Sequence, residues 1–590
     1  MSRQNMGAPV DRHLLSVVLF TPLVGALVLW GSGFAGGRNR RPFVHIVGCL
    51  TAAVTVLASV PLWMRFEVRG AQWQFTEHLS LLPSLGLNYA VGVDGLAVVL
   101  VLLTTVVSAA AALASWTVSS EAVDDLPRGQ EGIRESAGFD MTAPTGHALT
   151  REVQGPAAAP AGVTAHYMAL LVLETAMLGV YISLDLVGFV ICWFVAAVAI
   201  CYLCGSVATS SERLRRRRFV DIAVIPSLVL MAAMVTLHLQ GRRLIGIPTF
   251  DLRNFQQVTP SIDVQYWLFG MFLVAFAGTL AGVFRWWLSV AASRSGLPVS
   301  LVLAAVFLKM GTYGFVRLTL PLLPDATRTF APMLVAVAAL GILFGAVAAL
   351  AQPNWTRVLA YATLSHICLV LLGTFALTPD GVTGGIVHQV NHGVSIAALL
   401  FLAGVVAARG GGTSLADYGG LLTTMPVVAA LWLLSTLSLV AVPKLSGFVG
   451  TRLIIEGSWS AHPVWSIVAM AGLGVSAVAL LWLFARTMLG ELRSPAGNAL
   501  RDLRLQEAIV IVPMAAFVIW VGYKPATILA IVETSVARVV LRVSPQFAPE
   551  VAGCLSAPPP PEQTGLPAGM VMAAPCVEGS STTPSQTDKK

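Results

Sequence analysis

The sequence predicts an all-α polytopic membrane protein, and three observations carry that prediction. Hydrophobic residues make up 56% of the chain and charged residues only 11%, whereas a soluble globule carries about 25% charge. Mean hydropathy is +0.79. Apolar runs long enough to cross a ~30 Å hydrocarbon layer as helices recur about fourteen times, and their lack of alternation excludes a membrane β-barrel, whose strands alternate over about ten residues.

The first run begins near Leu14 and lacks a small-residue cleavage site, so it reads as a retained helix rather than a removed signal. Runs beginning near Phe43 and Gly95 complete a first group within residues 1–118. Residues 119–165 are rich in Pro, Gly, Ala and charge and read as a flexible insert loop. Within residues 166–320 the spans start near Tyr167, Asp185, Phe219, Trp267 and Leu297. Within residues 321–544 they start near Ala331, Ala360, Gly384, Met425, Val464 and Ala508. Pro443 lies inside the twelfth and, lacking a backbone donor, predicts a broken helix. The tail, 545–590, carries Pro558 to Pro561 and reads as disordered.

Arginines set the orientation. Arg38, Arg40 and Arg41, then Arg213 and Arg215 to Arg218, then Arg486, Arg493, Arg501 and Arg504 fall in connections on one side of an alternating bundle. The basic side is cytoplasmic, so both termini are expected outside a bacterial plasma membrane. These loops also explain much of the net charge of +7, which needs no nucleic-acid partner.

Cysteines contribute little. Cys201 and Cys204 form a C-x-x-C inside an apolar helix, where small packing residues are the plainer reading than a redox or metal pair. Cys554 and Cys576 lie in the outward tail, where an oxidising compartment would let them pair.

Ionisable groups at membrane depth remain: Glu174, Asp221 near a span edge, Lys309, His366, His388, His392 and Lys444. Lys309 is the anomaly. The chain has five lysines against thirty-one arginines, and a charge at the centre of a span costs about 2.5 to 3.5 kcal/mol on insertion scales. Histidine exchanges a proton near neutral pH, and a desolvated lysine approaches that range. Lys309, His366 and His392 on three helices are therefore candidates for a water-bridged proton relay, with Lys309 expected to face inward near His366. Each alone is more often a packing or snorkelling residue; the three together bring the relay reading level with that one.

The motifs add resolution. TPLVGALV at Thr21, NYAVGVDGLAVVLVLLTT at Asn88, LGVYISLDLVGFVICWF at Leu178, LKMGTYGFVRLTLPLLPDA at Leu308, HQVNHG at His388, SLADYGGL at Ser414 and SGFVG at Ser446 follow one another in order. Together they resemble chain M of NADH-quinone oxidoreductase, respiratory complex I, an antiporter-like proton-translocating family. The resemblance implies two inverted repeats with broken helices, the first over spans four to eight and the second from span nine onward. It implies other membrane subunits as partners, lateral proton transfer coupled to quinone reduction, and no cofactor in this chain, with NADH, FMN, Fe-S clusters and quinone on partner subunits.

Three departures qualify the resemblance. Where the family carries a glutamate after the fifth-span tryptophan, this chain has Phe194 after Trp193. Gly278 stands at the family's seventh-span lysine, and Leu280 and Val283 stand where that span's prolines usually sit. Thr451 replaces the glutamate after SGFVG. The ion pair that would tune the central lysine is thus absent. Glu174, Lys444 and Glu456 are further candidates as substitutes, or are local packing groups. Two function classes follow: a conducting subunit with altered coupling, and a non-conducting structural paralogue. A cation/proton antiporter or membrane hydrogenase subunit is more distant.

Overall fold

A computed structural model describes residues 13–32, 41–124, 162–207, 212–244, 246, 248–290, 296–410, 412–493 and 500–551. Thirteen of its helices are long and apolar enough to cross a membrane. The first six are Leu14–Ser32, Arg41–Met64, Gly95–Trp116, Val163–Ile182, Leu186–Ser206 and Arg217–Leu244. Ile262–Gly282, Leu297–Leu322, Pro324–Leu350, Trp355–Phe375 and Pro379–Gly410 follow, and Pro463–Met488 and Leu505–Tyr523 close the set. The shorter apolar helix Pro426–Leu439, continued after a break by Ser446–Ala461, makes the twelfth span and brings the total to the fourteen expected.

Burial ranks the spans. The eighth, Leu297–Leu322, and the eleventh, Pro379–Gly410, are fully buried along their most apolar windows, while the others are 28% to 78% buried. A helix apolar all round belongs inside a bundle, and these two form its axis. Across the break between Leu439 and Ser446, Ala441 and Lys444 take left-handed backbone, with φ of 63° and 68°. The seventh span has no such break: Ile262–Val290 is one helix, in keeping with Leu280 and Val283 where prolines would interrupt it. The eighth departs from α geometry instead, with π turns at Leu303–Phe307 and Phe315–Thr319 on either side of Lys309. Such turns are rare and concentrate at functional sites.

Two elements lie outside the hydropathy pattern. An antiparallel hairpin of Gln74–Leu82 and Leu87–Val93 joins the second and third spans. After the last span, Ala526–Val543 packs across the third, eighth, ninth and eleventh spans, at the end of the bundle opposite the arginine-rich connections. Within the segment 119–165 the third helix runs to Asp124 and the fourth begins at Val163. The rest of that segment, and the tail with Cys554 and Cys576, lie outside the described residues.

Candidate proton-relay site

Lys309 sits on the eighth span, 2% exposed. Its Nζ donates back five residues to the carbonyl of Ala304, inside the preceding π turn, at 2.7 Å, and lies 3.3 Å from His392 Nδ1. Its direct partner is therefore His392 of the eleventh span, and His366 stands one ring further. The His366 and His392 rings are 5.0 Å apart. His366 Nδ1 then meets His388 Nε2 at 3.1 Å, with the two rings stacked. His388 and His392 are one turn apart on the same face of the eleventh span, which is how one helix serves both ends of the line. His388 Nδ1 ends it 3.4 Å from Thr451 Oγ1.

The eleventh and twelfth spans approach closely enough for that last contact because of a glycine. A Cβ at Gly450 would stand 2.7 Å from the His388 backbone, so no larger residue fits without parting the helices. Hydrogen bonds hold the break beside them: Asn391 Nδ2 donates to the Ser446 carbonyl at 2.6 Å, and the Ser395 and Ser438 hydroxyls meet at 2.8 Å. Thr312 Oγ1 donates to Gln389 Oε1 at 2.8 Å and ties the eighth span to the eleventh one turn from Lys309.

A second buried polar cluster was not foreseen among the membrane-depth groups. Arg317, two turns beyond Lys309, makes a bidentate pair with Asp94, at 2.8 and 2.5 Å. Its Nε donates to Tyr313 Oη at 2.7 Å, Tyr313 Oη donates to the Tyr181 carbonyl at 2.8 Å, and the guanidinium lies 4.7 Å from the Trp73 ring centroid. Arg317 and Asp94 stand in the quoted LKMGTYGFVRL and VGVDGLA segments, but their nearness to span ends hid them. A bidentate Arg–carboxylate pair compensates both charges, so this cluster is saturated where Lys309 has no carboxylate.

The remaining candidates are scattered. Glu174 is 1% exposed, and neither carboxylate oxygen has a protein partner. Lys444 is exposed at the twelfth-span break, 5.9 Å from the Tyr523 ring centroid. Glu456 is exposed and paired with Arg452 at 2.7 Å. Neither Lys444 nor Glu456 has a hydrogen bond to the histidine line. Phe194 is 40% exposed on the outside of the bundle, and a Cβ at Gly278 would meet nothing within 4 Å. Cys201 and Cys204 are buried free thiols. Among the described residues no group of three His, Cys, Asp or Glu is placed to hold a metal.

Residues 183–476 match the family model described as NADH:quinone oxidoreductase/Mrp antiporter, TM. Over 548 residues the chain is 30% identical to NADH-quinone oxidoreductase subunit M of Mycobacterium tuberculosis (strain ATCC 25618 / H37Rv), covering 91% of this chain and 96% of that one. The chain belongs to the NADH-quinone oxidoreductase subunit M family. Subunit M of Rhodobacter capsulatus is similar at 29% identity over 90% of this chain and 96% of its own. Two solved structures show the same fold. One is from respiratory complex I of Thermus thermophilus with bound NADH, with TM-score 0.72, 23% identity, and coverage of 90% of this chain and 100% of that one. The other is from the Mrp complex of a Dietzia species, with TM-score 0.70, 15% identity, and coverage of 93% and 100%. Within the subunit M family, then, Lys309 and the three histidines are side chains of the antiporter-like core, at the contact of its eighth, tenth, eleventh and twelfth spans.

Proposed function

We propose that the chain is a proton-translocating membrane-arm subunit of a complex I-type NADH-quinone oxidoreductase in a bacterial plasma membrane, with both termini on the outer side. Its redox chemistry resides elsewhere: NADH, FMN, Fe-S clusters and quinone belong to partner subunits. Lys309, His392, His366 and His388 form the middle of a lateral proton path. The observation that carries this reading is the line from the buried Lys309 Nζ to the half-buried Thr451 Oγ1, with contacts of 3.3, 3.1 and 3.4 Å and one step, His392 to His366, made only by rings whose centroids are 5.0 Å apart.

Protons move along such a line because each member both binds and releases one. His392 accepts from Lys309 at Nδ1, which leaves Nε2 to carry its hydrogen; between His366 and His388 either ring donates, according to tautomer. His366 Nε2, His392 Nε2, Gln389 Nε2 and Asn391 Oδ1 are buried without a protein partner, and these atoms are where water would connect the line.

A second reading, a non-conducting structural paralogue, is favoured by Phe194 and Gly278, which leave Lys309 without the family's tuning ion pair. The number of protons translocated per electron decides between them, measured in membranes carrying wild type or Lys309→Ala. A clear loss with assembly intact supports conduction, and an unchanged ratio supports the silent scaffold.

A further inference from the structure

A groove of about 530 Å³ opens at the end of the bundle opposite the arginine-rich connections. Four separate parts of the chain build it. Trp73 and Gln72 precede the hairpin, Gln257 lies between the sixth and seventh spans, Pro321 ends the eighth, and Arg538 and Arg542 come from the helix that crosses this face. Arg253 completes the basic lining and is paired with Asp251 at 2.5 Å.

The two arginines of the last helix are not so compensated. Arg542 spends its guanidinium on main-chain carbonyls, donating to Pro321 at 2.5 Å, to Val258 at 2.9 Å, and to Gln256. That staples the helix to the loop but brings no negative charge. Arg538 has neither a hydrogen bond nor an ion pair among the described residues, and it is partly buried. Burial holds both guanidiniums below their ordinary pKa, with Asp94 acting in the opposite direction on Arg538. Asp94, which acts on Arg538, and Asp251 are already paired with Arg317 and Arg253. Partly desolvated cations without a carboxylate paired to them are unfavourable, and apolar surface from Trp73, Pro321, Val539 and Leu541 lines the groove they share.

We propose that this groove binds the phosphodiester headgroup of an anionic phospholipid, with Arg538 as the direct phosphate contact, Arg542 and Arg253 as flanking charge, and Trp73 and Pro321 against the glycerol. Guanidinium groups match phosphate oxygens in a planar fork. The volume suits a whole headgroup rather than a bare ion, and the apolar walls suit the start of an acyl chain. The site is independent of the histidine line and needs no proton transfer to occur.

The test uses the membrane complex purified through a tag on this chain and exchanged into nanodiscs of phosphatidylcholine doped with phosphatidylglycerol. Lipid retained after detergent washing is counted by native mass spectrometry. Wild type is expected to keep phosphatidylglycerol in preference to phosphatidylcholine. Arg538→Gln should weaken that retention about ten-fold, the loss expected for one charge-assisted hydrogen bond. This variant removes no hydrogen bond inside the protein, so a folding failure is not expected to mimic the result; Arg328→Gln, exposed at the start of the ninth span, should change nothing. Equal retention by wild type and Arg538→Gln, an equal loss with Arg328→Gln, or displacement of the lipid by millimolar inorganic phosphate would each overturn the assignment.

Discussion

Thr451 Oγ1 lies 3.4 Å from His388 Nδ1, so the residue that stands in place of the family glutamate touches the last histidine of the buried line. The missing carboxylate is therefore missing at a point of contact. Thr451→Glu places a carboxylate against His388 and favours its protonated form. The expected outcome is a higher proton-to-electron ratio than wild type, with assembly unchanged because position 451 is only partly buried. A ratio equal to wild type would mean that protons do not leave the line there.

Gly278 and Phe194 make a paired test. A Cβ at Gly278 meets nothing within 4 Å and Phe194 is 40% exposed, so neither Gly278→Lys nor Phe194→Glu clashes with packed side chains, and at membrane depth each new charge needs the other as its partner. Restored ion-pair tuning should raise protons translocated per electron in the double variant above either single one. Additive single effects would show that the two positions do not interact.

Replacing Lys309 separates function from folding. Lys309→Met keeps the volume and removes the charge, and replacing a buried charge by an apolar side chain of similar size is frequently neutral or stabilising. Assembly, read on native gels, should match wild type, while proton translocation falls.

The Asp94–Arg317 pair predicts the opposite balance. Asp94→Asn leaves a guanidinium buried without its charge partner, at a cost of about 3 to 5 kcal/mol. The complex should lose thermal stability in detergent, and Asp94→Asn combined with Arg317→Met should recover part of it. A double variant less stable than Asp94→Asn alone would show that Arg317 stabilises through Tyr313 and Trp73 instead.

Topology is tested by reporters. A periplasm-active phosphatase fused after Val551 should be active, and one fused within residues 206–218 should be silent. Both fusions active, or both silent, would overturn the alternation of the spans.

Much of the fold was legible because a bilayer leaves few options. Backbone groups in hydrocarbon must be satisfied within helices, so each apolar run announced a span, and fourteen starts read from hydropathy correspond to the thirteen long helices and the interrupted twelfth. Lys309 was legible for the same reason: a charge in a fully buried span stands out. What hydropathy lacks is rotation. That Nζ reaches His392 before His366 depends on the twist of three helices and on a π turn that redirects the Ala304 carbonyl, neither of which spacing encodes. The Asp94–Arg317 pair escaped because each residue sits near a span end, where charges are common, and only the hairpin brings Trp73 over them. The hairpin and the helix Ala526–Val543 cap one end of the bundle outside the apolar spans, and the helix carries Glu533, Arg538 and Arg542, so hydropathy marks neither.

The hydrogen bond from the Gly95 amide to Ser535 Oγ, 3.0 Å long, joins residues 440 apart. During synthesis, the Gly95 end of the third span is made early and stays open until residue 535 has been made, because its partner lies on the last long helix among the described residues. Closure of that face therefore waits for the end of the chain, and a chain shortened before Ser535 would carry all fourteen spans yet lack the helix that packs across the third, eighth, ninth and eleventh.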